Sequence, residues 1–374
     1  MNKLTHTWQL SAETDWHALE SQFSWVKDMR GVPQDPIYHA EGDVAIHTEM
    51  VLKALVKTPE YQNLDVQNQH IIWAAALLHD VEKRSTTKTE AGRITSRNHA
   101  KRGEQTTRDI LFAEIPTPFW IRELICALVR LHGLPLWFIE KENLNHALLQ
   151  AADRVPLSLL SLLAKADILG RECEDAEEML DRIALFEEEA KQLNCLHAPY
   201  PFVNDHARFS YFSKSNGDLN YVPFDEFSCE VILMCALPGM GKDYYIKTHY
   251  PDYPVISLDA LRRERKLPEN DLSVIRDAKE MAKVYLRQKQ SFIWNATNLR
   301  AQIREQLIAL FTAYKARVTL IYLEVPYRVW QKQNKEREHA VPSKILNKMV
   351  QGFEFPQKHE AHSVRYITAN ESFK

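Results

Sequence analysis

Apolar residues recur at intervals of three and four through much of the first half of the chain. The segments are EGDVAIHTEMVLKALV (41–56), NQHIIWAAALLHD (68–80), HAKRGEQTTRDILFAEI (99–115), FWIRELICALVRLH (119–132) and VPLSLLSLLAKADILGR (155–171). That period puts the apolar side chains on one face of a helix, so an all-helical domain is predicted over residues 1–196. The pattern breaks at 197–228, HAPYPFVNDHARFSYFSKSNGDLNYVPFDEFS, which is rich in Pro, Asn, Asp, Ser and aromatics. It reads as a linker whose aromatics pack against a domain rather than hang as a free tether. Beyond it, short apolar runs EVILMCAL (230–237), PVISL (254–258), SFIWNA (291–296), RVTLIYLEV (317–325) and SVRYITA (363–369) alternate with helical stretches such as 273–290 and 300–315. Alternation of this kind predicts an α/β domain over 229–374, a mostly parallel sheet covered by helices. The chain is therefore expected to be multidomain.

Composition narrows this picture without changing it. A length of 374 residues agrees with two or three domains of about 150 residues each. With 26% charged and 45% hydrophobic residues, the chain falls outside the disordered, collagen-like and coiled-coil classes. The longest strictly apolar run, 71–78, is far short of the roughly 20 residues that span a bilayer, so no membrane segment is expected. The opening MNKLTHTWQLSAETDW has no basic start, apolar stretch or small-residue cleavage site, and a cytoplasmic location is expected. Five cysteines without paired short spacing fit reduced thiols.

Charge divides the chain. From Cys229 onward there are 24 Lys and Arg against 16 Asp and Glu, whereas residues 1–228 carry 23 against 34. A basic half suits polyanions such as ATP or nucleic acid, and an acidic half can supply cation ligands, although both are equally compatible with solvated surfaces.

Candidate chemistry in the first half is carried by His and Asp. His79 and Asp80 sit side by side at the polar end of an apolar helix, His47 lies in the preceding amphipathic helix, His99 and His132 fall near helix boundaries, and Asp167 lies in LLAKADILGR. Imidazole and carboxylate together suit transition metals, and a carboxylate can bridge two ions that activate water for attack on phosphorus. Taken singly, His99 or His132 is equally a hydrogen-bonded surface or core histidine, and Asp167 a helix-surface acid paired with Arg171. The ordered set resembles the HD phosphohydrolase superfamily, with His47 as the first histidine, His79-Asp80 as the doublet and Asp167 as the closing aspartate. EGDVAIHTEMV and ADILGR look like the HD domain attached to bacterial CCA-adding enzymes. The resemblance implies one metal on His47, His79, Asp80 and Asp167, and a second accommodated by His99 and His132. Occupancy by Mn, Ni, Co, Zn or Fe is left open. His39, Glu41, Lys83 and Arg171 are further candidates for holding phosphate.

In the second half, EVILMCAL runs into PGMGK and a predicted helix. Gly239, Met240, Gly241 and Lys242 let backbone N–H groups close around phosphate at a helix N-terminus while the lysine reaches the outer phosphates. Against G-x-x-x-x-G-K-[ST], Ala236 replaces the first glycine and Asp243 the hydroxyl residue that ordinarily binds Mg2+. Asp259 ends the second strand with Arg262 three residues later, a carboxylate placed to take a hydroxyl proton beside a phosphate-binding guanidinium. Arg337 precedes a further helix and is placed to serve as a lid arginine. Arg262 and Arg337 also stand in the charged runs RRERK and KERE, and Thr297-Asn298 can cap a helix. No acid ends the third strand, where Trp294-Asn295 stands.

These residues resemble the P-loop polynucleotide 5'-hydroxyl kinase family, over most of 229–356. The resemblance implies ATP and Mg2+ as cofactors, residues 239–243 on the ATP phosphates, Asp259 as general base, Arg262 on the acceptor phosphate and Arg337 in the lid. An HD module followed by such a kinase resembles the bacterial HD/polynucleotide kinase enzymes of RNA end healing. That resemblance implies RNA or DNA ends as substrates and an RNA ligase acting in the same pathway. An HD nucleotidase fused to a small-molecule or nucleoside kinase, and a noncatalytic nucleotide-sensing regulator, are the alternatives.

Overall fold

Local signals open the helices that later carry the chemistry. In the computed structural model, which describes residues 7–368 apart from 215, 267, 269–270 and 338–339, Asp43 and Asp65 accept hydrogen bonds from the backbone N–H of Ile46 and Asn68. They cap helices Val44–Leu55 and Val66–Leu78, satisfying donors that the first turn leaves free. The chain divides into two compact units, 1–200 and 201–374.

The first unit is built around two helices that are apolar nearly all round, Val66–Leu78 and Leu157–Leu169. All eight residues from Ile71 to Leu78 are buried, as are most of those from Leu157 to Ile168. A helix without a polar face lies in the middle of a helical domain, not on its surface. Helices Val44–Leu55, Phe119–Leu131 and Ala176–Gln192 pack around this pair, and His99–Asp109 packs on Phe119–Leu131. A buried ion network joins two of them: Arg108 Nε and Nη2 and Arg122 Nε all donate to the Glu123 carboxylate, with Arg108 Nη2 at 2.8 Å. Each buried charge is paired, which burial of charge requires.

The unit is not all-helical, contrary to the sequence expectation. Strands β1 (Lys88–Glu90) and β2 (Arg93–Thr95) pair antiparallel. Ala91 and Gly92 between them both have positive φ, 51° and 77°, which is the backbone of a tight hairpin turn. KTEAGRIT lacks the Asn-Gly or Asp-Gly turn signal, so periodicity alone passed over it.

Of the expected linker 197–228, residues Asp205–Phe212 form a helix, capped by Asn204, and belong to the second unit. Aromatic contacts hold it there: Phe209 and His206 pack on His362, with ring centroids 4.4 and 5.1 Å away, and Phe212 packs on His359.

The second unit is a sheet of five strands: β3 (Cys229–Cys235), β4 (Val255–Ser257), β5 (Phe292–Asn295), β6 (Ala316–Leu323) and β7 (Ser363–Ile367). Their order is β4-β5-β3-β6-β7 and every pairing is parallel. Residues 231–235 of β3 and all of β5 are buried, as strands covered by helices on both faces must be. Strand order reverses at β3, so a crevice opens beyond its carboxyl end, where α/β sheets bind ligands. Among the described residues no single helix is long and apolar enough to cross a membrane, and all five cysteines are free thiols.

Candidate active sites

In the first unit, five helical segments deliver side chains to one buried point. His79 follows the last residue of Val66–Leu78 and His132 the last of Phe119–Leu131; His99 is the first residue of its helix. Each uses Nδ1 in the same way. His79 Nδ1 lies 2.7 Å from the Ala76 carbonyl, His99 Nδ1 2.8 Å from that of Ser96, and His132 Nδ1 2.8 Å from that of Val129. A carbonyl oxygen only accepts, so each Nδ1 carries the proton and each Nε2 of the neutral ring presents a lone pair inward. His47 Nδ1 is engaged at 2.9 Å by the Glu41 carboxylate instead.

The inward atoms form two lobes joined by Asp80. On one side His47 Nε2 lies 3.1 Å from Asp167 Oδ1 and 3.7 Å from Asp80 Oδ2, and His79 Nε2 lies 3.2 Å from Asp80 Oδ2. On the other, His99 Nε2 is 3.2 Å from His132 Nε2, and the two are 3.4 and 4.0 Å from Asp80 Oδ1. His47 Nε2, His79 Nε2 and Asp80 Oδ1 are buried and make no hydrogen bond. Acceptors facing acceptors in a buried space repel one another, and a cation between them removes the penalty. The donor set therefore fits divalent transition metals: His47, His79, Asp80 and Asp167 would hold one ion, and Asp80, His99 and His132 a second.

Burial shapes the electrostatics. It pushes His132 down to about 3, helped by neighbouring His99, and lowers His99 as well, so both rings are neutral donors of lone pairs. Burial works against the charged forms of Asp80 and Asp167. Lys83 and His79 nevertheless hold Asp80, and Arg171 and His47 hold Asp167, well below the ordinary carboxylate range.

The four residues offered as phosphate binders take different places around this cluster. Glu41 is buried between His39 and His47, each 2.9 Å from its Oε1, and accepts from the Glu172 N–H; a carboxylate so placed orients histidines and does not hold phosphate. Lys83 binds Asp80 Oδ2 and Gln34, each at 2.7 Å. Arg171 forms a two-pronged pair with Asp167, as the simple pairing reading had it, although Asp167 is 1% exposed and not a surface acid. Lys83, Arg171 and His39 also line a cavity of about 360 Å³ with Gln34, Ser96 and Trp137. Nothing in the sequence flagged Glu41 as the partner of His47, because the two meet across the turn ahead of Asp43.

Helix crossing sets the His47–Asp167 approach. A Cβ on Gly170 would lie 2.6 Å from the backbone N and Cα of Val51, one turn beyond His47. Gly170→Ala is expected to force the helices apart, costing about 1–3 kcal/mol. Denaturant unfolding checks this, and an unchanged midpoint would show that the crossing tolerates a methyl group.

In the second unit, β3 leads into the loop 236–241 and helix Lys242–His249. Gly239 and Gly241 have φ of 85° and 92°, a conformation in which a side chain is strained, while Ala236 lies outside that region and needs no glycine. Trp330 Nε1 donates to the Pro238 carbonyl at 2.7 Å, and the Val325 N–H reaches Met240 Sδ. Thr297 and Asn298 brace the loop from the next strand and do not cap a helix. The Thr297 carbonyl accepts from Ala236 N–H, and Asn298 Nδ2 donates to Met234 O at 2.6 Å.

Lys242 Nζ lies 3.4 Å from the carbonyls of Ala236 and Leu237. Burial pushes its pKa below the ordinary value, while Asp259 and Asp243 pull it back up and Arg337 lowers it further. Asp243, Asp259 and Arg337 are thus close enough to act on Lys242. Asp259 is exposed in the first turn of helix Leu258–Glu264, one residue past the expected strand end, with Arg262 Nη1 at 3.1 Å. Arg262 Nε and Arg337 Nη1 are buried without a hydrogen bond. Asp243 Oδ1 accepts from Asn295 Nδ2 at 2.7 Å, a contact that the sequence showed only as two separate departures from the loop pattern.

Residues 231–356 match a family model described as an AAA domain. Among solved structures, an unliganded sugar kinase from Janibacter sp. HTCC2649 is 16% identical, with 38% of this chain and 87% of that chain covered at a TM-score of 0.30. A gluconokinase from Sinorhizobium meliloti 1021 is 15% identical, with 39% and 86% covered at 0.29. No curated protein matches the chain. The matched residues span most of the parallel-sheet unit, from β3 through the loop 236–241 to beyond β6, and a helical region precedes it.

Proposed function

We propose that this chain heals broken nucleic-acid ends. Its first unit acts as an HD-type phosphohydrolase that removes a 2',3'-cyclic, 2'- or 3'-phosphate; its second phosphorylates a 5'-hydroxyl from ATP. The observation that carries the hydrolytic half is the convergence of inward lone pairs on Asp80, with His99 and His132 Nε2 only 3.2 Å apart. Metal ions held by this set would supply Lewis acidity and an ionised water. The chain's own residues do the remaining work. The Nδ1 bonds to Ala76, Ser96 and Val129 fix three rings in one tautomer, and the Glu41 carboxylate lies 2.9 Å from Nδ1 of the fourth. Lys83 and Arg171 keep Asp80 and Asp167 ionised and present cationic groups toward the adjoining cavity, where a phosphate ester would bind.

For the kinase half, the loop's N–H groups and Lys242 bind the ATP phosphates, and the domain type implies Mg2+ with the nucleotide. Asp259, exposed and oriented by Arg262, takes the proton of the attacking hydroxyl as its bond to the γ-phosphorus forms and the bond to the β-phosphate oxygen breaks, releasing ADP. Arg337 sets a guanidinium beside the lysine to meet charge on the transferring group. A polymeric acceptor is favoured by a cleft of about 540 Å³ whose cations are Arg262, Lys279, Arg300 and Lys348, with no carboxylate among the described residues that line it.

The test is product analysis after incubation with ATP, divalent metals and an oligonucleotide bearing a 5'-hydroxyl and a 3'-phosphate, as RNA and as DNA. Gain of 5'-phosphate and release of 3'-phosphate are expected, yielding ends that a ligase can join. Phosphorylation of small sugars or nucleosides with no action on either oligonucleotide would overturn the reading.

A further inference from the structure

Two departures from the usual pattern, one at the loop and one at the end of the neighbouring strand, meet in space. Asn295 closes β5, the strand beside β3, where an acid would ordinarily stand, and Asp243 occupies the position of the usual hydroxyl. Asn295 is 6% exposed. Its Nδ2 donates to Asp243 Oδ1, and since a carboxylate only accepts, the amide cannot be turned around. Asn295 Oδ1 is left buried with no hydrogen bond, an uncommitted oxygen beside a carboxylate at the first turn of the helix that starts with Lys242.

We propose that Asp243 and Asn295 form a charge-exchanged cation pair, in which acid and neutral oxygen have traded places between loop and strand, and that the exchange makes nucleotide binding depend on the metal. This rests on the reading of the second unit as an ATP-dependent kinase. Hard divalent cations take carboxylate and amide oxygens alike, so the pair suits Mg2+ as well as the usual hydroxyl and acid do. The consequences of the two arrangements differ. A hydroxyl on the loop is indifferent to an incoming polyphosphate, whereas Asp243 repels it until a cation stands between them. Asp243 acts on the neighbouring Lys242 in the same way, offsetting the charge that would attract phosphate. By linkage, metal and nucleotide each raise the other's affinity by the same factor.

Calorimetric titration of the full-length protein with ADP, in Mg2+ and in chelator, tests this without turnover. The Mg2+-dependent tightening is expected to shrink about 5- to 150-fold in Asp243→Ser, through a rise in metal-free affinity. The double variant Asp243→Ser with Asn295→Asp, which returns the acid to the strand and leaves a hydroxyl on the loop, is expected to keep a tightening smaller than that of the wild type. Equal loss of ADP affinity with and without Mg2+ in Asp243→Ser, or a tightening that does not change, would overturn the exchange while leaving the kinase reading in place. A wild-type protein that binds no ADP under either condition would remove the kinase reading and this inference with it.

Discussion

Asp80→Ala is expected to abolish phosphate release from a 3'-phosphate end while leaving 5'-phosphorylation at its wild-type rate. Asp80 is the one residue whose two oxygens face both lobes: Oδ2 toward His47 and His79, Oδ1 toward His99 and His132. Its removal takes a ligand from each proposed ion at once. The loss should therefore exceed the about 10- to 100-fold that follows when only an outer partner of a metal ligand is removed. Elemental analysis should show the bound transition metal falling together with activity. Because alanine also strands the Lys83 ammonium, Asp80→Asn serves as the companion variant, keeping an oxygen for Lys83 while removing the charge. Metal content and phosphate release that survive in both variants would refute the assignment of this cluster.

Lys242→Ala should produce the reverse, a loss of 5'-phosphorylation of about 100- to 1,000-fold, the scale on which one preorganised donor to a developing charge contributes. The residue stands at the start of the helix after the loop, and its Nζ lies 3.4 Å from the Ala236 and Leu237 carbonyls, so the side chain is turned into the loop. Phosphate release from 3'-ends is expected to stay unchanged, since Lys242 belongs to the second compact unit and the His and Asp cluster to the first. A combined assay of both ends on one labelled oligonucleotide reads the two outcomes together. If either variant lost both activities while its circular dichroism and unfolding transition matched wild type, the two sites could not be independent.

The strands of the second unit were legible because buried parallel strands read as short continuous apolar runs, and all five runs became strands of one sheet. The helices of the first unit were legible through their period. The hairpin 88–95 was not, since its turn uses Ala91-Gly92 at positive φ where propensity gives no warning. Nor was the helix 205–212, eight residues in a stretch whose composition reads as loop; packing on His359 and His362 accompanies it.

By itself the sequence determined which residue types stand where: His47, the His79-Asp80 doublet, His99, His132 and Asp167 in helices or at their ends, and PGMGK between a strand and a helix. Those are local facts, set by period, capping and the glycines a tight loop demands. Only the tertiary structure decided that histidines from four separate segments turn their lone pairs to one aspartate, that Glu41 serves His47, and that Asn295 meets Asp243 across a strand gap. Such meetings depend on how helices cross and strands order themselves, which is fixed by packing between segments distant in the chain and leaves no periodic trace along it.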